Sequence, residues 1–122
     1  MKILVVDDER DIQMLFEQRF RKEIKEKSLE FAFAFSGEEA LTYLRQQNHQ
    51  TVLILSDINM PGMSGLELLR QIKEKYVLPP PRVMMITAYG DAENFEKSKQ
   101  LGADDFLTKP VDFQYLKEKF KL

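Results

Sequence analysis

Four short stretches of this chain carry side chains that could do chemistry together. They are Asp7-Asp8-Glu9, Asp57 with Ile58-Asn59-Met60-Pro61-Gly62 behind it, Thr87-Ala88, and Thr108-Lys109-Pro110. Each follows directly on a short apolar run. Asp7, Asp8 and Asp57 brought close together would repel, and at least one pKa would rise unless a cation sat among them. Oxygen-only ligands suit Mg²⁺, which takes a few carboxylates and keeps some waters. Lys109 offers a positive charge on a flexible stem, fit for a phosphate oxygen. Thr87 offers a hydroxyl, and the N–H that follows it a second donor. A carboxylate can attack phosphorus and become an aspartyl phosphate. Phosphoryl transfer needs chiefly positioning and charge neutralisation, which a metal and a lysine supply. Singly, each element has a plainer reading: an acidic pair caps a helix, an Asp before Pro-Gly is a turn residue, and Thr or Lys-Pro at a strand end is ordinary. Their occurrence at successive strand ends, in this order, is what points to chemistry.

The elements that must position them alternate. The apolar runs are Ile3 to Val6, Leu29 to Phe35, Val52 to Leu55, Val83 to Ile86, and Phe106-Leu107. They are strand-sized and apolar on consecutive residues, as in strands covered on both faces of a parallel sheet. Between them lie helical patterns. Ile12, Leu15, Phe16, Phe20 and Ile24 recur at three- and four-residue steps and predict one long first helix. Its outer face carries Arg21, Lys22, Glu23, Lys25, Glu26 and Lys27, mixed in sign as on a solvated face. Ser36-Gly-Glu-Glu39 opens a second helix as a capping box. Leu66, Leu68, Leu69 and Ile72 mark a third after Gly65. Asp91 caps a fourth that Gly102 stops, and Asp112 caps a fifth bearing Phe113, Leu116 and Phe120. Pro79-Pro80-Pro81 marks the loop before the fourth strand. Five β-α units in a row predict an α/β, doubly wound, five-stranded parallel sheet with five helices. In such sheets ligands bind beyond the carboxyl ends of the strands, where all four reactive stretches fall.

Composition agrees. The 122 residues are 43% hydrophobic, which fits one domain able to bury roughly two thirds of its unfolded surface. Eighteen Lys and Arg against twenty Asp and Glu leave a net charge of −2, which advertises neither direct nucleic-acid binding nor an anionic membrane. There is no Cys, so disulfides, thiol nucleophiles and cysteine metal sites are excluded. No apolar run approaches the roughly 20 residues that span a bilayer. Ile3 to Val6 is too short for a signal peptide. The expectation is a soluble cytoplasmic domain filling residues 1–122, without repeat, linker or low-complexity segment.

The segments Ile3-Leu-Val-Val-Asp-Asp-Glu9, Ser56-Asp-Ile-Asn-Met-Pro-Gly-Met-Ser-Gly65, Met85-Ile-Thr-Ala88 and Leu101-Gly-Ala-Asp-Asp-Phe-Leu-Thr-Lys-Pro110 together resemble the receiver domain of two-component response regulators, over essentially the whole chain. The nearest kind is the single-domain chemotaxis receiver, with its flavodoxin-like fold. The resemblance implies that Asp57 accepts a phosphoryl group from a sensor histidine kinase or a histidine phosphotransfer protein. It implies that Asp8, Asp57 and the Asn59 carbonyl ligate Mg²⁺ directly, with Asp7 acting mainly through water. Lys109 would pair with the phosphate, Thr87 would turn inward to it, and Ala88 would offer its N–H. Phe106 holds the place of the switch aromatic, often Tyr in the family; here it has no hydroxyl. Asn59 and Tyr89 stand where the family tunes hydrolysis, and Lys109-Pro110 would be cis. The switched surface, made by the fourth helix, fifth strand and fifth helix, would contact an output protein or a fused output domain. Whether the chain pairs with a second copy is left open.

Other readings are weaker on the residues. A Mg²⁺-dependent phosphohydrolase with an aspartyl nucleophile carries Asp-x-Asp, whereas Asp57-Ile58-Asn59 lacks the second acid. A receiver-like module independent of phosphorylation usually loses an acid, the Thr or the Lys, and none is lost here. A flavin carrier would need a phosphate-cradling loop where Asp7-Asp8-Glu9 stands. His49 lies among Gln46, Gln47, Asn48 and Gln50 and reads as an exposed loop histidine, not a phosphoryl donor. Met84 and Met85 read as core, and Met60 and Met63 as local packing about the Pro61-Gly62 turn. Tyr115, Lys117, Lys119 and Phe120 read by default as part of a solvated amphipathic last helix, with a dimer or output surface as the alternative.

Overall fold

Five runs rich in Val, Ile, Leu and Phe pair as strands: β1 (Lys2–Val6), β2 (Glu30–Ala34), β3 (Leu53–Asp57), β4 (Arg82–Thr87) and β5 (Asp105–Thr108). They form one parallel sheet in the order β2-β1-β3-β4-β5. The structure, a computed structural model, describes residues 1–46, 53–75, 81–88 and 90–120. The sequence expectations for Gln47, Asn48, His49, Gln50, Val52, Pro79, Pro80 and Tyr89 lie outside the described residues.

The period-two geometry of a strand explains the consecutive apolar residues. Leu4 and Val6 of β1 enter one core with Ile54, Val83 and Met85. Ile3 and Val5 enter the other with Leu55, Met84, Ile86 and Leu107. Helices α3 (Gly37–Gln46) and α4 (Gly65–Lys75) cover the first core through Leu41, Leu44, Leu68, Leu69 and Ile72. Helices α1 (Asp11–Arg19), α2 (Arg21–Lys25) and α6 (Phe113–Lys119) cover the second through Phe16, Ile24 and Leu116. Helix α5 (Ala92–Gln100) connects β4 to β5. No helix among the described residues is long and apolar enough to cross a membrane.

The predicted caps form. The Ser36 hydroxyl accepts the Glu39 N–H at 3.0 Å. Asp91 accepts the Asn94 N–H at 3.2 Å, and Asp112 accepts those of Gln114 and Tyr115 at 3.0 and 3.2 Å. Beyond α5, Gly102 adopts φ +93°, the left-handed turn that ends the helix.

The single long first helix expected from the sequence is two, α1 and α2, so the described residues form six helices where five were expected. Between them Phe20 takes φ −111° and ψ 23°, away from helical values. Its ring is fully buried against Phe16, Phe31, Phe113 and Phe120, with centroids 5.3–5.9 Å away. Seating that ring bends the backbone. The Phe20 and Ile24 N–H groups still bond the carbonyls four residues back, so the apolar stripe runs on across the bend. Periodicity therefore reads one helix where the chain makes two. Glu23 also departs from its expected outer face: its side chain is largely covered and lies 3.5 Å from Lys117 of α6.

Candidate functional site

The strand order reverses direction between β1 and β3, and the crevice there lies at their carboxyl ends. Strand pairing carries the acids into it. The Asp7 N–H bonds the Ala34 carbonyl at 3.1 Å, prolonging the β1–β2 ladder by one residue. Its carboxylate accepts the Glu9 N–H at 2.9 Å. Asp57 is the last residue of β3, and the Ile58 N–H still bonds Ile86 of β4 at 3.2 Å. The Lys109 N–H bonds the Thr87 carbonyl at 2.9 Å, so β4 fixes where the lysine departs from β5. The Lys109-Pro110 peptide is cis.

The side chains converge. Lys109 Nζ donates to Asp57 Oδ2 at 2.8 Å and stands 4.0 Å from Asp7 Oδ2. Carboxylate oxygens of Asp7, Asp8 and Asp57 lie within 4.8 Å of one another. Asp7 and Asp57 are buried, whereas Asp8 is exposed to solvent.

Burial pushes the Asp7 carboxyl above its usual range. The Glu9 N–H and Lys109 oppose this, while the Asp57 charge adds to it. Burial would lower the Lys109 ammonium, yet its bond to Asp57 and the charges of Asp57 and Asp7 hold it above the ordinary lysine value. Three carboxylates thus face one ammonium among the described residues, which leaves two negative charges uncompensated. An all-oxygen donor set, short of positive charge by two and open on the Asp8 side, fits a hard divalent cation.

The remaining predicted residues ring this cluster. Asn59 is exposed, and its backbone N–H donates to Asp57 Oδ1 at 3.4 Å. Thr87 is buried at the end of β4. Its hydroxyl donates to the Leu107 carbonyl at 3.3 Å and is engaged with β5, not with the acids. Ala88 is exposed just beyond it. Phe106 is half-buried, its ring centroid 4.5 Å from that of Phe95 on α5. Met84 and Met85 are core, and Met60 is buried while Met63 packs against the same core. Sequence reasoning passed over two residues here. The Ser56 hydroxyl donates to the Asp57 carbonyl at 3.0 Å, and Gly65 closes against the same peptide. A Ser immediately before the key Asp, and a Gly eight residues after it, were the available signals.

An acid cluster with two of its three carboxylates buried, at the switch point of a 2-1-3-4-5 sheet and with a lysine bonded to Asp57, defines a class of protein that comparison identifies. The response regulator receiver domain model matches residues 3–121, and the chain belongs to that family, the phospho-accepting switch of two-component systems. Among curated proteins, it is 33% identical over 120 residues to sporulation initiation phosphotransferase F of Bacillus subtilis, covering 98% of this chain and 90% of that protein. It is 38% identical over 109 residues to the transcriptional regulatory protein ResD of the same organism. That match covers 89% of this chain but only 42% of ResD, which is a longer protein. Among solved structures, a response regulator receiver protein from Pseudomonas putida superposes with a TM-score of 0.84 at 29% identity, covering 98% of this chain and 94% of that one. The chemotaxis protein CheY4 of Vibrio cholerae superposes at 0.80 with 27% identity, covering 98% and 95%.

Proposed function

We propose that Asp57 is the phosphoryl acceptor of this receiver, that residues 1–122 form one receiver unit, and that the donor is a phosphohistidine on a sensor histidine kinase or a histidine phosphotransfer protein. The observation that carries the reading is the Lys109–Asp57 bond of 2.8 Å inside a group of three carboxylates. Asp7, Asp8, Asp57 and the Asn59 carbonyl are the residues that would hold Mg²⁺. When bound, Mg²⁺ supplies charge neutralisation to the phosphoryl oxygens.

An Asp57 carboxylate oxygen attacks phosphorus as the histidine N–P bond breaks, and the new bond is O–P. The imidazole leaves with the N–P electron pair. Lys109 follows the transferred group, trading its carboxylate contact for a phosphoryl oxygen, and the Ala88 N–H faces another. The product carries nearly two negative charges and new acceptor oxygens. Thr87 gives up its bond to Leu107 to reach one of them, and Phe106 turns into the space it leaves. That exchange reshapes the surface of α5, β5 and α6, where an output protein or a fused output domain is read. Moving such a switch from about 1:99 to 99:1 takes roughly 5.5 kcal/mol, within reach of a few charge-assisted hydrogen bonds. The same reading takes the compartment to be the cytoplasm and the chain to act as a switch, catalysing only its own modification.

The test is Asp57→Asn, offered phosphorylated kinase or acetyl phosphate with Mg²⁺. Loss of label is expected. Stoichiometric, acid-stable retention of the wild-type label would remove Asp57 as acceptor. Steady turnover of a small phosphate ester would instead favour a hydrolase.

A further inference from the structure

Strand pairing alone does not aim the Asp57 carboxylate. Its own carbonyl accepts the buried Ser56 hydroxyl at 3.0 Å, and the Ile58 carbonyl accepts the Gly65 N–H at 2.8 Å. The chain from Ile58 to Ser64 therefore folds back, so that the first residue of α4 rests on the Asp57–Ile58 peptide. A methyl carbon built on Gly65 would overlap the Asp57 carbonyl oxygen and stand 2.7 Å from the Ile58 Cα. The glycines with positive φ are Gly62, Gly90 and Gly102, so at Gly65 glycine is required for space and not for its backbone angle. The obstructing atoms are main chain. They cannot swing aside as the Met63 thioether can, 2.8 Å from a methyl carbon placed on Gly37.

We infer that Gly65 and Ser56 are positioning residues: together with the Ile58–Ile86 bond to β4 they fix the Asp57–Ile58 peptide, and with it the directions of the Asp57 carboxylate and the Asn59 carbonyl, and so tune the divalent-cation affinity of the site. The inference rests on the reading of this rim as a Mg²⁺ site. Groups behind metal ligands act by orienting them, and a ligand displaced by a fraction of an ångström binds poorly even when its chemistry is intact. Ser56 holds the carbonyl by a hydrogen bond. Gly65 admits α4 to within bonding distance of Ile58 without pushing that peptide away.

The experiment uses the full chain as wild type and as Gly65→Ala, Ser56→Ala and Gly37→Ala. Mg²⁺ affinity is measured by calorimetry, amide signals by NMR of the metal-free protein, and thermal midpoints beside them. Gly65→Ala is expected to weaken Mg²⁺ binding by about tenfold or more and to shift the Ile58 and Asn59 amides before any metal is added. Ser56→Ala moves both in the same sense, with affinity lower by about threefold. Gly37→Ala stays within about twofold of wild type, whatever its thermal midpoint. A folded Gly65→Ala with wild-type affinity overturns the inference, as does affinity loss that tracks thermal midpoint across all three variants. If Gly65→Ala does not fold, Ser56→Ala decides, and unchanged affinity with unmoved amides overturns the proposal. Wild type that binds no Mg²⁺ overturns the underlying site reading as well, whereas normal wild-type binding with unaffected variants overturns the positioning role alone.

Discussion

The rim of the sheet and the outward face of α4 both gather charged side chains, and they do so in opposite ways. On α4, Arg70 donates to Glu67 and to Glu74 one helical turn away on either side, and Gln71 donates to Glu67. Those side chains are solvated, with Arg70 43% and Glu67 41% exposed. At the rim, the Asp7 and Asp57 side chains are 4% and 6% exposed, and both face Lys109 with a third acid, Asp8, beside them. Exposed helix pairs are worth little because water and salt screen them. Buried acids of one sign are a tension that the fold holds for a ligand to relieve. Imbalance with burial, not the number of ion pairs, marks the working site.

The largest effect is expected from removing the lysine at the rim. Lys109→Ala is expected to slow phosphoryl transfer from acetyl phosphate by about 10²-fold, the scale of losing one preorganised charge contact. Mg²⁺ affinity should not fall in the same variant, because the ammonium competes with the cation for the same oxygens. Rapid-quench labelling and calorimetry read the two separately. A parallel loss of both would mean that Lys109 holds the acids together and does not merely compete with the cation for their oxygens.

The next effect is on stability and has the unusual sign. Burial and the Asp57 charge raise the Asp7 carboxyl, so the ionised form is disfavoured in the folded protein. Asp7→Asn should raise the stability of the metal-free protein by about 1 kcal/mol, read by urea denaturation, while Mg²⁺ binding and labelling are lost. A destabilised Asp7→Asn would show that the acid is retained for structure.

Much of this was legible beforehand because the relevant signals are local. Consecutive apolar residues in β1, β3 and β4 announce strands buried on both faces, and an acid, hydroxyl or lysine at each strand end follows from strand length. The caps at Ser36, Asp91 and Asp112 were legible for the same reason. What the sequence hid is tertiary. The bend at Phe20 goes with the seating of its ring among Phe31 of β2, Phe113 of α6 and Phe120 just beyond α6. The burial of Glu23 depends on Lys117 of α6. The closeness of Gly65 to Asp57 depends on how a seven-residue loop folds back. The inward turn expected of Thr87 belongs to the phosphorylated state; here its strand-end hydroxyl bonds the neighbouring Leu107 carbonyl of β5, a partner that no sequence pattern names.

A smaller effect contrasts with Asp7 on the same sheet. Burial alone would raise the Asp105 carboxyl at the start of β5, but Lys119 at 2.8 Å, the Phe106 N–H and the Arg82 charge hold it below the usual range. A depressed carboxyl contributes stability above its unfolded value of about 3.9, and that contribution is lost as pH falls through the lower folded value. Thermal midpoints of wild type and Asp105→Asn should therefore differ at neutral pH, with wild type higher, and converge on acidification below about pH 4. A gap that persists in acid would assign the effect to packing.

The smallest effect belongs to α4 and serves as the other arm of the comparison. Hydrogen bonds from Arg70 and then Gln71 draw the Glu67 carboxyl down to about 2. The sign is that of Asp105: the pair is present above the ordinary glutamate value and fades as pH falls toward the folded one. Solvent exposure makes the gain slight, and added salt should shift the Glu67 titration, followed by carboxyl carbon NMR, back toward the usual range. Glu67→Gln should leave Mg²⁺ affinity and phosphoryl labelling at wild-type values and move the thermal midpoint little. If labelling falls instead, the charged face of α4 takes part in the reaction or in recognition of the donor, and burial with imbalance is no longer a sufficient mark of the site.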